Sequence, residues 1–93
     1  MTTGLLQMDL LLPTTRSLKD KRSILSRLKN QVRSRFNVAI SELRMGDEMS
    51  RSQIGIVTIS NDPSVVHDIL RKAEQFIENR FEVQVMGRRI EML

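Results

Sequence analysis

Residues 4–22, GLLQMDLLLPTTRSLKDKR, decide the fold, because they hold a strand, a turn and the start of a helix. The first nine residues are nearly all apolar and too few for a helix before Pro13, which is typical of a central strand. Pro13 begins a turn. Ser17 then predicts the N-cap of a helix, with Asp20 three residues later as a short form of the capping box.

The rest of the chain alternates between helical and extended patterns. It predicts, in order, a first helix over about 18–34, an edge strand over 37–44, a polar hairpin loop with Gly46 over 45–52, a central strand over 53–60, a second helix from Pro63 to about Asn79, and an edge strand over 82–86 followed by a bulge at Gly87.

The first and third strands are apolar on both faces, whereas the second and fourth alternate. This pattern predicts an antiparallel sheet of order 4-1-3-2, with the double-sided strands in the centre. Right-handed crossovers place both helices on one face. We therefore expect residues 1–93 to form one α+β domain with the ferredoxin-like βαββαβ arrangement.

Composition excludes several function classes. The chain has no Cys, so disulfides, zinc fingers, iron–sulfur ligation and thiol catalysis are excluded. The longest apolar run, Leu10-Leu11-Leu12, is too short for a membrane span, and no basic leader precedes it, so we expect a cytoplasmic protein. With one histidine, His67, and no glycine-rich phosphate loop, we expect no enzyme, cofactor or metal.

Positive charge is concentrated in the first helix. Residues 16–35 carry eight basic residues and one acid, although the whole chain carries only +4. On a helical wheel, Lys19, Arg22, Lys29 and Arg33 fall in one arc of about 80°, away from the apolar one. We call these four residues the basic stripe. It predicts a face that binds RNA phosphates; a solvated helix face is the alternative.

Two further cations belong to the predicted nucleic-acid-binding set, Arg16 and Lys21. Lys21 falls inside the apolar arc of the helix. One interpretation is that its long side chain reaches past the end of the core to solvent. The other is an anion pocket that Arg16, Lys19 and Lys21 form with the free N–H groups of the helix start, which would suit a small enzyme or an anion sensor.

The sheet face without helices is also notable, because several of its predicted residues are apolar. They are interspersed with Gln7, Asp9 and Ser41. Asp9 is expected to be solvated or to pair with a neighbour such as Arg44. Such a face predicts a contact with a second copy of the chain, through Leu5, Leu11, Ala39, Leu43 and Met86.

Three segments carry a family resemblance: residues 17–22 (SLKDKR), 35–42 (RFNVAISE) and 57–62 (VTISND). Together they resemble the YlxP-like bacterial proteins of unknown function. The resemblance implies a ferredoxin-like fold. It also implies a role near 30S ribosome assembly, since members tend to be encoded beside translation factors. In the hairpin, the family leads us to expect an aromatic residue near Met49, and this chain has none.

The sequence thus predicts a small non-catalytic binding module. Its expected partner is structured RNA or a ribosomal subunit, bound by the first helix. A homo-oligomeric interaction module that uses the open sheet face is the alternative, and both can hold.

Overall fold

A computed structural model describes residues 1–44 and 48–93, and only the backbone of Arg44. The elements are β1 (Thr2–Leu11), α1 (Leu18–Arg35), β2 (Ala39–Arg44), β3 (Arg51–Ser60), α2 (Pro63–Arg80) and β4 (Gln84–Met92). All strand pairs are antiparallel and the sheet order is β2-β3-β1-β4, which is the predicted 4-1-3-2 read from the other edge. The ferredoxin-like prediction is confirmed. The predicted hairpin turn at Gly46 lies outside the described residues.

The core lies between the sheet and the two helices. Leu6, Met8 and Leu10 of β1 project into it and are fully or almost fully buried. Leu28 of α1 and Leu70 of α2 meet them there. Alternation along β1 therefore produces one buried face and one open face, as the sequence predicts.

Side chains at both helix starts satisfy backbone donors. The Oγ of Ser17 accepts a hydrogen bond from the N–H of Asp20 at 3.0 Å. Asp62 caps α2 by accepting from the hydroxyl and the N–H of Ser64, at 2.8 and 2.9 Å. The hydroxyl first, and then the backbone N–H groups of Ser64 and Val65, hold the pKa of the Asp62 carboxyl below its ordinary 3.8.

Helix α2 packs unusually close to β1 at Gly4. A Cβ atom at this position would lie 2.5 Å from Cγ1 of Val66 and 2.9 Å from Cδ1 of Leu70. Real Cβ atoms are not found at such distances, so a side chain here would force the side chains of Val66 and Leu70 to shift. Gly4 thus sets the distance between α2 and the sheet.

Strand β4 is longer than predicted. The expected end at residue 86 is wrong, since pairing with β1 continues to Met92. Asp9 pairs with Gly87 and Leu10 with Val85, which leaves Met86 as the extra residue of a bulge. A bulge bends a strand without ending its ladder.

Helix α2 does not have a purely apolar inner face. Val65 is exposed, whereas Glu74 is buried and forms an ion pair with Arg88 of β4. The sequence pattern does not predict this pair, because Arg88 lies beyond the predicted end of the last strand. The continued β4 brings Arg88 to the helix side of the sheet, opposite Met8.

Candidate nucleic-acid interface

The basic stripe lies on the outer side of α1. Lys19, Arg22 and Arg33 are exposed, and Lys29 is half-buried. The opposite side of the helix carries Leu28, which faces the core. Because an amphipathic helix buries only one side, this packing fixes the direction in which the stripe points.

No carboxylate neutralises the stripe within residues 1–44 and 48–93, where ion pairs involve other cations. The guanidinium of Arg33 donates instead to the side-chain oxygen of Asn30 at 2.7 Å, a neutral partner that orients it. The stripe therefore presents uncompensated positive charge to solvent, which attracts polyanions.

Lys21 does not join the stripe. Its side chain is buried, with the residue 4% exposed, and its ammonium donates to the backbone carbonyl of Glu48 at 2.7 Å. The ammonium does not reach solvent, so the interpretation that it extends past the end of the core is wrong. A buried ammonium that is bound to the hairpin is not available to RNA.

Lys21 is held because residues 48–50 lie beside the start of α1. Three successive carbonyls, of residues 48–50, each accept a hydrogen bond from this region. Ser50 accepts from the N–H of Leu12 at 2.7 Å, and Met49 accepts from the hydroxyl of Thr15 at 2.5 Å. We call these three bonds the hairpin clasp; Lys21 is its third donor. A contact between residues about 30 positions apart has no local signal in the sequence.

Arg16 is exposed beside the helix start. Its backbone N–H donates to Oδ2 of Asp20 at 3.1 Å. The Asp20 carboxylate thus lies where the predicted pocket would place its anion. A negative charge in this position complements the positive end of the helix dipole and repels a second anion. Arg16 remains accessible to a partner, but not as part of the predicted pocket.

The open sheet face carries all five predicted apolar residues. Leu5 and Leu11 are half-buried, Ala39 is exposed, and Leu43 and Met86 are 48% and 53% exposed. The prediction missed Ile59, which is 53% exposed on the same face.

Polar side chains divide this face. Asp9 is exposed and accepts a hydrogen bond from Gln53 at 2.8 Å, and Gln7 pairs in register with Arg89. The predicted partner of Asp9, the Arg44 side chain, lies outside the described residues. The apolar surface is therefore split between the Ile59 end and the Met86 end.

The described residues contain no group of His, Asp and Glu placed to hold a metal ion. Nor does either helix in this part of the chain have the length and apolarity needed to cross a bilayer. The main feature of the described surface is therefore the exposed positive charge of α1.

Comparison with known proteins shows the family of this chain. The family model described as "Protein of unknown function (DUF503)" matches residues 3–90. This chain belongs to the DUF503 family. It is 34% identical over 68 residues to the uncharacterized protein YlxP of Bacillus subtilis (strain 168), covering 73% of this chain and 74% of the relative. The predicted resemblance to YlxP-like proteins is confirmed.

A solved structure supports the fold alone. A de novo designed protein with a ferredoxin fold, LFR1 1, superimposes with a TM-score of 0.57 at 15% identity. The alignment covers 100% of this chain and 84% of the designed one.

Proposed function

We propose that this DUF503 protein is a non-catalytic cytoplasmic module that binds structured RNA, free or within a ribosomal subunit, through the basic stripe of α1. The observation that carries the proposal is the outward stripe itself, whose cations have no carboxylate partner among the described residues. Like charges spaced along one helix destabilise it slightly, so a partner that uses them accounts for their presence.

The stripe suits the phosphate backbone better than bases. The sheet face opposite the helices has no aromatic side chain in the described residues, so bases have no stacking surface there. Lys and Arg on a helix side neutralise phosphates and release counterions. Such binding depends on the shape and charge of the RNA rather than on its sequence.

The test is binding to a structured ribosomal RNA fragment over a salt series. Four phosphate contacts give a slope of log K against log salt of about −3. The double reversal Arg22→Glu with Lys29→Glu is expected to reduce that slope by about 2 and to weaken binding at every salt concentration.

Net charge needs a matched control. Arg51→Glu with Arg71→Glu makes the same change in charge at exposed positions outside α1. This control is expected to keep most of the affinity. Equal loss in both double variants, or no binding of the wild type at low salt, would refute the proposal.

A second candidate is a homo-oligomer formed through the open sheet face, which rests on the half-exposed Ile59 and Met86. Burial of such side chains in a self-complementary contact is favourable. Light scattering of the wild type should then give a mass above 10.8 kDa that Ile59→Lys with Met86→Lys lowers. Val65→Lys, an exposed apolar position on α2, should leave it unchanged. A monomer at high concentration contradicts this candidate.

A further inference from the structure

Two arginines converge on one aromatic ring where the helices end. Arg35 is the last residue of α1, and Arg80 is the last residue of α2. Their guanidinium carbons lie 5.0 and 5.9 Å from the centroid of the Phe76 ring. Basic residues in a last turn complement the helix dipole, but this does not require two cations to share a ring.

Phe76 is held in place by two other rings. Phe36 and Phe81 meet it edge-on, at centroid distances of 5.8 and 6.1 Å and interplanar angles of 73° and 75°. Phe36 and Phe81 are the C-cap residues of α1 and α2, so the backbone fixes both of them. The ring is therefore a rigid support for both guanidinium groups.

The arginines line an open cleft of about 460 Å³. Its other polar lining residues are Lys72, Gln75 and Asn79, and no described acidic residue lines it. Lys72 pairs with Asp68 at 2.9 Å, but both side chains are more than half exposed, so this pair is weak. The lining thus offers donors and positive charge without a built-in anion.

Neither guanidinium forms a hydrogen bond or an ion pair within the described residues. Contact with an aromatic ring uses the centre of a guanidinium and leaves its edge N–H donors available. A guanidinium can donate two parallel N–H bonds to one phosphate, so two arginines with free donors beside one ring favour a phosphate ligand.

We propose that Arg35 and Arg80 form a phosphate-binding site, separate from the basic stripe. Although Arg33 and Arg35 are close in sequence, they lie about 160° apart on the wheel of α1, so this cleft is not a continuation of the stripe. The ligand class is a phosphate group, carried either by a free nucleotide or pyrophosphate or by the backbone of an RNA strand.

The experiment is an NMR titration of the ¹⁵N-labelled protein with pyrophosphate, ADP and a short single-stranded RNA in separate arms. We expect shifts of the Arg35 and Arg80 side-chain N–H signals and of the amides of Gln75 and Asn79. Tighter binding of pyrophosphate and ADP than of RNA per phosphate identifies a free phosphorylated ligand, and the reverse order identifies RNA backbone.

Variants make the assignment specific. Arg35→Gln with Arg80→Gln is expected to weaken binding at least tenfold, whereas Arg71→Gln, an exposed arginine of α2 outside the cleft, should change it less than twofold. Arg35→Lys with Arg80→Lys keeps the charge and the packing of the stems but loses paired donors, so it should also weaken binding. Shifts spread over the whole surface, or equal loss in Arg71→Gln, would overturn the proposal.

Phosphate binding in the cleft at Phe76 should not depend on the basic stripe. Arg22→Glu with Lys29→Glu should leave pyrophosphate binding in the cleft intact even when it abolishes RNA binding. The reverse result, RNA binding by the stripe with no phosphate signal at Phe76, would remove the cleft proposal alone.

Discussion

Lys21 shows how the meaning of one residue depends on contacts far along the chain. The helical wheel places it among apolar residues, and it is buried, as that position indicates. The helical wheel does not show the carbonyl of Glu48, which accepts a hydrogen bond from the Lys21 ammonium. A buried donor is acceptable only when it is satisfied, so the hairpin clasp makes the position suitable for a lysine.

We expect Lys21→Met to destabilise the protein by about 1.5–3 kcal/mol. Methionine fills a similar volume, but the Glu48 carbonyl loses a charged hydrogen-bond donor. Chemical denaturation measures the change. Lys19→Met removes an exposed lysine two residues earlier in the same helix. Its free energy of unfolding should stay within about 0.5 kcal/mol of that of the wild type. Similar midpoints for the two variants would contradict a structural role for Lys21.

At the scale of elements, the sequence identified every strand and helix but misjudged where some of them end. The helix starts were predictable because Ser17 and Asp62 are local capping signals. The end of β4 was not, because the strand continues through a bulge whose partner, Asp9, is distant in sequence. Local patterns therefore define helix ends better than they define strand ends in this chain.

The cap of α2 predicts a pH dependence. Since the pKa of Asp62 is lower in the folded protein than its ordinary 3.8, its contribution to stability is present above pH 3.8 and is lost as pH falls through the folded pKa. Asp62→Asn keeps a capping side chain without the charge. We expect the difference in unfolding free energy between wild type and Asp62→Asn to shrink on acidification through this range. A difference that stays constant down to pH 2 would contradict it.

The spacing between α2 and β1 gives a second prediction at this scale. Gly4→Ala places a methyl group against Val66 and Leu70, which cannot withdraw into the filled core, so we expect a loss of about 1–3 kcal/mol. Gly87→Ala is the matched control, because its methyl would meet only the exposed Asp9 carboxylate, at 3.2 Å. Denaturation of both variants should give the larger loss for Gly4→Ala; the opposite order would be inconsistent with the packing.

At the scale of the whole molecule, the two layers carry different chemistry. Cations face outward from the helix layer, and apolar side chains divided by polar ones occupy the open sheet face. The helical wheel predicted the first feature, and the strand pattern predicted the second. The cleft at Phe76 was not predictable, since Arg35 and Arg80 are 45 positions apart and only the packing of the helices brings them to one ring. The exposed cations and the apolar open face therefore lie on different layers of the molecule.

The charge distribution predicts opposite changes in stability and binding. Lys29→Glu replaces the repulsion between Lys29 and Arg33 by an attractive i,i+4 pair, so we expect about 0.5 kcal/mol of added stability in the free protein. RNA binding should weaken in the same variant. Added stability with unchanged RNA binding would indicate that the stripe is an ordinary solvated face. Calorimetry and the binding assay at one salt concentration measure the two quantities.

The hairpin clasp has a consequence for local unfolding. Because residues 48–50 hold donors from the β1–α1 turn and from the first turn of α1, neither segment can detach without releasing the other. Native-state hydrogen exchange should therefore group the amides of Leu12 and Lys21 in one cooperative unit, with a common opening free energy. An RNA held on the basic stripe would then slow exchange at Leu12, a buried residue of the β1–α1 turn that lies outside the stripe.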